Sequence, residues 1–207
     1  MKLSLTTFFV GSTSVWILGS SIIKHAWLHS KNRPGGTNLG LERIGVNLIW
    51  QGYSGMKLCQ LKRRVRNLLK FVDPPSYIVI HCGGNDIGEF PILEIRRLAR
   101  SAIEFLNQIL PNTVIIWSQI LPRSNWRYST DCTAMDTARI RLNNSAATQC
   151  IYLGGSYIKY PDLKVVKHAL WSSDGVHLSK LGNEIFLNGI QGGLESIISY
   201  GVTYYPH

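Results

Sequence analysis

The apolar positions of the chain fall into short dense runs, separated by longer stretches in which they recur every three or four residues. The runs are Val15-Trp16-Ile17-Leu18, Val46-Asn47-Leu48-Ile49-Trp50, Tyr77-Ile78-Val79-Ile80, Val114-Ile115-Ile116-Trp117 and Ile151-Tyr152-Leu153. They are rich in β-branched and aromatic side chains and mostly apolar at consecutive positions. A strand with one wet face alternates apolar and polar residues, whereas a strand buried on both faces does not. These segments therefore predict a parallel sheet covered on two sides.

The intervening stretches predict helices. Lys57 to Phe71 places Leu58, Leu61, Val65, Leu68 and Leu69 close to one face, and Pro74-Pro75 stops it. Ile92 to Leu110 repeats the pattern with Leu93, Leu98, Ile103, Leu106 and Leu110, ending at Pro111. Ala134 to Ala147 is a weaker third helix, and Leu181 to Ile198 is a fourth, interrupted by Gly192 and Gly193. Strand and helix alternate, which predicts a doubly wound α/β domain over residues 14–200. Residues 1–13 form an N-terminal extension and 201–207 a C-terminal tail. Sheets of this kind bind ligands beyond the carboxyl ends of their strands, where the chain order reverses.

Those strand ends carry the polar residues. The first run leads into Gly19-Ser20-Ser21, a serine beside a glycine at the start of a helix, with Lys24 and His25 one turn on. It matches the GxSxG nucleophile elbow only in part, because Ile23 stands at the final glycine. Taken alone, it also suits an ordinary helix cap. The second run leads into Gly52-Tyr53-Ser54-Gly55, where glycines let backbone N–H groups approach a ligand. The third leads into His81-Cys82-Gly83-Gly84-Asn85-Asp86, where Asn85 offers an amide donor suited to an oxyanion. The fourth is followed by Arg123 and Trp126-Arg127, candidates for a cleft wall, and His81 reads as a structural histidine. Ser173-Asp174-Gly175-Val176-His177 precedes the last helix, and Asp and His three apart can set a carboxylate against the imidazole. Each motif is common by itself. Together they put a serine, an amide and an Asp-His pair at one end of one sheet.

Composition changes this picture little. A hydrophobic content of 45% with 16% charged residues places the chain among globular domains. Cys59, Cys82, Cys132 and Cys150 lack metal-ligand or CxxC spacing, so neither a zinc site nor a redox pair is indicated, and a cytoplasmic location is expected. The apolar run from Leu3 to Val10 imitates a secretion signal but is short and interrupted by Thr6 and Thr7. Charge matters more. The formal net charge of +10, concentrated in Lys62, Arg63, Arg64, Arg66, Lys70, Arg96, Arg97 and Arg100, favours contact with nucleic acid or an anionic membrane. No GxxxxGK[ST] or post-strand GxGxxG motif indicates a phosphate-binding enzyme.

The four loops resemble the blocks of the SGNH (GDSL) hydrolase family. Gly19-Ser20-Ser21 resembles its GDS, Gly55 (or Gly52) its second-block glycine, Gly83-Gly84-Asn85-Asp86 its GxND and Asp174-Gly175-Val176-His177 its DxxH. The stretches VWILGSSIIKHA, IHCGGNDIG and DGVHLSKLGNEIFLN are similar to SGNH-like domains encoded by vertebrate retrotransposons. The resemblance implies a three-layer α/β/α sandwich of the flavodoxin-like kind, with a five-stranded parallel sheet in the order 2-1-3-4-5. It also implies a nucleophile at Ser21, a base at His177 oriented by Asp174, and an oxyanion hole from Ser21, Gly55 and Asn85. Lys24, Gly52, Ser54, Asp86 and Arg123 become candidates for the substrate cleft. No metal or cofactor is implied. The expected activity is ester hydrolysis through an acyl-serine, on a small ester or an acylated lipid or carbohydrate. One departure stands out: Ser20 occupies the position of the family aspartate. Ser20 and Ser54 are also rival nucleophiles. The alternative reading is an SGNH-fold module with weak or absent chemistry that binds nucleic acid or anionic membrane through its basic surface. Oligomeric state is left open.

Overall fold

In the computed structural model, which describes residues 12–206, six strands form one parallel sheet in the order β2-β1-β3-β4-β5-β6. They are β1 (Thr13–Gly19), β2 (Val46–Gly52), β3 (Tyr77–His81), β4 (Val114–Ser118), β5 (Ser156–Ile158) and β6 (Tyr204–Tyr205). The α/β sandwich agrees with the sequence pattern, and the strand order 2-1-3-4-5 with what the family resemblance implies. Residues expected as a tail add the sixth strand. The apolar run Leu3–Val10, and with it the question of a secretion signal, lies outside the described residues.

Both faces of the sheet are covered, as consecutive apolar residues require. Along β1, Trp16 and Leu18 face α2 (Leu58–Leu68), α3 (Ile92–Ile109) and α4 (Cys132–Tyr152). Val15 and Ile17 face α1 (Ser21–Ser30) and α5 (Lys180–Tyr200), where Ile22, Ile23, Phe186, Leu187 and Ile190 pack. At ~25 cal/mol per Å², burying such side chains is the main force that holds the layers together.

The fifth strand is a correction. Ile151-Tyr152-Leu153 ends α4 instead of forming a strand, and β5 begins at Ser156. Within that run Ile151 is 42% and Tyr152 81% exposed, so its apolar character reflects no two-sided burial. Gly154, at φ +77°, ends the helix, and Gly155 lies so close to β4 that a Cβ would sit 2.2 Å from the Ile115 carbonyl oxygen. α5 runs unbroken through Gly192 and Gly193. A Cβ at Gly192 would stand 2.4 Å from the Tyr205 hydroxyl, and one at Gly193 2.8 Å from the Ile158 side chain. The two glycines let the helix lie against β5 and β6.

The carboxyl end of the sheet is braced at β4. Asn143 of α4 accepts from the Trp117 indole at 3.1 Å and from the Ile120 N–H at 2.9 Å, and donates to the Ile120 carbonyl at 3.1 Å. This fixes the start of the loop that carries Arg123. Chain order reverses between β1 and β3, and the loops that leave their ends part to form a cleft.

Candidate active site

Gly19 ends β1 flush against β3; a Cβ there would meet the His81 carbonyl oxygen at 2.4 Å and the Ile23 side chain at 2.6 Å. The chain then turns at Ser20, whose N–H donates to the His81 carbonyl (3.3 Å) and whose carbonyl accepts from Lys24 N–H (3.2 Å). Ser21 is the first residue of α1. Its N–H therefore has no partner inside the helix and points from the positive end of the helix dipole.

The loop before α5 brings a histidine to this serine. Asp174 Oδ1 accepts from the Val176 and His177 N–H groups, each at 2.9 Å, which closes a tight turn through Gly175 at φ +68°. Asp174 Oδ2 lies 2.5 Å from His177 Nδ1, and His177 Nε2 lies 2.8 Å from Ser21 Oγ. With Nδ1–H donating to the carboxylate, Nε2 is bare and accepts from the serine hydroxyl. Burial alone would raise the Asp174 carboxyl, but its bonds to the ring and backbone of His177 and to Val176 outweigh that and bring it down to about 2. The His25 ring leans on His177 with centroids 4.5 Å apart. Burial lowers the His25 pKa, and the neighbouring His177 adds to the effect.

The facing wall comes from the second and third loops. Gly55 takes φ +70° with open space where a Cβ would be, so conformation rather than crowding selects glycine. Asn85 Nδ2 donates to the Met56 carbonyl at 3.1 Å, and its Oδ1 accepts from Arg123 Nη1 at 3.4 Å. Met56 offers only an acceptor and Arg123 only donors, so the amide orientation is determined. The second Nδ2 hydrogen remains for a ligand.

Ser21, His25, Ser54, Gly55, Asn85, Arg123, Asp174 and His177 line one cleft of about 470 Å³. Three sequence candidates lie elsewhere. Lys24 is exposed on α1, and its backbone packs against Gly52, where a Cβ would stand 2.4 Å from Lys24 N. Gly52 is thus a spacer between β2 and α1. Asp86 is buried beneath the cleft and caps α2, with both carboxylate oxygens 3.2 Å from Leu58 N. Ser20 is 5% exposed, while Ser54 lines the cleft; of the three serines, Ser21 is the one bonded to His177. His81 is buried, with its ring 3.0 Å from Ser118 Oγ; burial and then Arg123 push it down to about 3, so it remains neutral. Among the described residues no cluster of His, Cys, Asp or Glu could hold a metal ion.

Several contributors had no sequence motif. Ser124 N donates to the Gly175 carbonyl at 3.0 Å and Asn125 Nδ2 to the Asp174 carbonyl at 3.2 Å, tying the histidine loop to the loop after β4. Ile87 and Tyr128 also line the cleft, beside the motif residues Gly84 and Val176 and the expected wall residues Trp126 and Arg127. The position of that loop after a strand was the available signal; the backbone carbonyls it reaches left none.

No family model matches the chain, and no curated protein sequence does. Solved structures do share its fold. The psychrotrophic esterase EstA from Pseudoalteromonas sp., in a structure inhibited by monoethylphosphonate, superposes with a TM-score of 0.68 at 17% identity, covering 90% of this chain and 99% of that one. A member of the lipolytic protein G-D-S-L family from Veillonella parvula gives 0.66 at 16% identity over 87% and 97%. A GDSL-like lipase from Bacteroides thetaiotaomicron gives 0.62 at 18% identity over 87% of each chain. The chain has the fold of GDSL esterases and lipases.

Proposed function

We propose that the protein is a serine hydrolase of the SGNH type that cleaves carboxylic esters through an acyl-serine intermediate. The observation that carries this reading is the unbroken chain of hydrogen bonds from Asp174 through His177 to Ser21, opening into a cleft beside Asn85.

In this mechanism Ser21 Oγ attacks the ester carbonyl carbon as its proton passes to His177 Nε2. Asp174 holds the ring in the required tautomer and stabilises the imidazolium. The negative charge on the former carbonyl oxygen is met by the N–H groups of Ser21 and Gly55 and by Asn85 Nδ2. Collapse breaks the bond to the alcohol, which leaves with the proton from His177. A water, deprotonated by His177, then releases the acid and restores the serine. These groups supply nucleophile, proton transfer and charge stabilisation without a metal or cofactor. Small esters and acylated lipids or carbohydrates are the candidate substrates.

A fluorophosphonate probe should label the wild-type protein once, at Ser21, and Ser21→Ala should lose both labelling and hydrolysis of 4-nitrophenyl acetate. Retention of both in Ser21→Ala would overturn the assignment and move attention to Ser54.

A second reading rests on a groove between α3 and α4. Arg96 and Arg100 of α3 and Arg141 of α4 border one shallow groove of about 320 Å³. None of the three forms an ion pair among the described residues. This groove would give the protein non-specific affinity for nucleic acid or anionic membrane. Binding of a labelled single-stranded oligonucleotide should fall steeply with salt and weaken in a triple Arg→Gln variant; salt-independent binding would contradict it.

A further inference from the structure

Arg123 is the cationic group built into the cleft wall. Its guanidinium rests on the Gly84 backbone, so close that a Cβ at Gly84 would meet Nη2 at 2.5 Å. Among the described residues, one of its five N–H donors makes a direct bond to a side chain, the 3.4 Å contact to Asn85 Oδ1, and the Trp126 ring lies 5.4 Å away. No carboxylate comes within ion-pair distance among the described residues. Burial pushes its pKa down to about 10, with Asp174 pulling the other way and Arg127 adding to the fall.

The acids that could neutralise Arg123 are engaged elsewhere. Asp174 accepts from the His177 ring and two backbone N–H groups. Asp86 caps α2, and Glu89 pairs with Lys57 at 2.6 Å. The second guanidinium in the cleft lining, Arg127, has the same sign as Arg123. A partly buried guanidinium with unused donors is stabilised by an anion, and its planar fork matches a carboxylate or phosphate edge.

Resting on the esterase reading, we infer that Arg123 is a specificity-determining residue that grips an anionic group of the substrate, one hydrogen bond beyond the amide that receives the oxyanion. The substrate is then an ester that carries a carboxylate or phosphate a few bonds from the scissile carbonyl. A neutral ester fits the same cleft but leaves the guanidinium unpaired.

A purely structural role, in which Arg123 holds only Asn85, would affect all esters alike. The test is therefore a ratio. Binding is measured by calorimetry on Ser21→Ala protein, which needs no turnover, with two matched pairs. These are 4-acetoxybenzoate against its methyl ester, with the charge on the alcohol side, and monomethyl adipate against dimethyl adipate, with the charge on the acyl side. At least one charged member should bind about 10- to 100-fold more tightly than its neutral partner. Adding Arg123→Gln should abolish the difference, and Arg123→Lys should keep part of it. Competition by phenyl phosphate against the preferred carboxylate separates the two anion classes, the stronger competitor identifying the natural group. Equal binding within both pairs would overturn the inference, as would a preference that survives in the Gln variant. The first of these needs no Arg123 variant to fold. Wild-type protein that shows the binding preference but hydrolyses neither member would instead overturn the esterase reading and leave the anion site standing.

Discussion

Asp86 offers a test of the site's foundation through pH. Its carboxylate is 1% exposed, and a single backbone N–H, that of Leu58, is shared by its two oxygens. Burial dominates and raises its pKa from 3.8 to about 6, with the Leu58 bond opposing and Glu89 reinforcing the rise. An acid whose folded pKa is raised holds its proton longer in the folded state than in the unfolded chain. Stability therefore falls as pH rises from about 3.8 to about 6 and stays lower above that. A shift of that size corresponds to about 3 kcal/mol at 1.36 kcal/mol per unit. The favourable effect of the positive end of α2 on the ionised form is already contained in that folded value, so a loss of about 3 kcal/mol is expected. Asp86→Asn keeps the shape and the acceptor for Leu58 but removes the titration. Urea unfolding of both proteins at pH 3.5, 5 and 7 should show wild type losing about 3 kcal/mol relative to Asp86→Asn across that range. Any fixed cost of the substitution cancels in the comparison, and so does the depressed Asp174 carboxyl, which both proteins share. Parallel pH profiles, or a wild type that gains on the variant as pH rises, would refute the reasoning.

Asn85→Ala removes the side-chain donor proposed for the oxyanion and should lower kcat on 4-nitrophenyl acetate by ~10²–10³ with a smaller change in KM; an unchanged kcat would exclude Asn85 from the hole. Asn143→Ala strands the Trp117 indole N–H and the Ile120 N–H in the core, while Arg139 still serves the Ile120 carbonyl at 3.0 Å. At ~1–3 kcal/mol per stranded group, urea unfolding should report a loss of about 2–6 kcal/mol, and a loss below ~0.5 kcal/mol would contradict the bracing role. Gly192→Ala drives a Cβ into the Tyr205 hydroxyl and should loosen β6, seen as faster hydrogen exchange at Lys159 N–H, which donates to the Tyr205 carbonyl. Unchanged exchange there would show that the helix yields instead.

β1, β3 and β4 were legible because two-sided burial writes itself as consecutive apolar residues, and β2 carried a similar run although it is half-buried at the sheet edge. Val15 to Leu18 are all 0% exposed. The fifth was not. Ser156-Tyr157-Ile158 is short and begins with a polar residue, and the apolar run just before it belongs to the solvent-facing end of α4. α4 itself looked weak because its inner face carries Arg139, Asn143 and Gln149, whose partners are the Ile120 carbonyl, the Trp117 indole and Glu104. Periodicity counts such residues as polar, although tertiary partners satisfy them in the interior.

The site divides along a similar line. Side chains that would do chemistry were visible as types at strand ends, whereas those that hold them act through backbone carbonyls and contacts distant in sequence. Met56 presents only its carbonyl to Asn85, and Arg123 meets Asn85 across 38 positions. Ser20 belongs to the same division. It stands, just before Ser21, where the SGNH family that the sequence resembles has an aspartate. Yet the turn is held by the main chain of Ser20, through its N–H to the His81 carbonyl and its carbonyl to Lys24 N–H, while its hydroxyl makes no capping bond. Gly19 packs flush on β3 whatever the next side chain is. The 2.8 Å contact between Ser21 and His177 is therefore reached without a carboxylate at position 20. Restoring one would bring a negative charge into the small space that Ser20 shares with His81 and Arg123, and would there compete for the guanidinium with any anionic substrate.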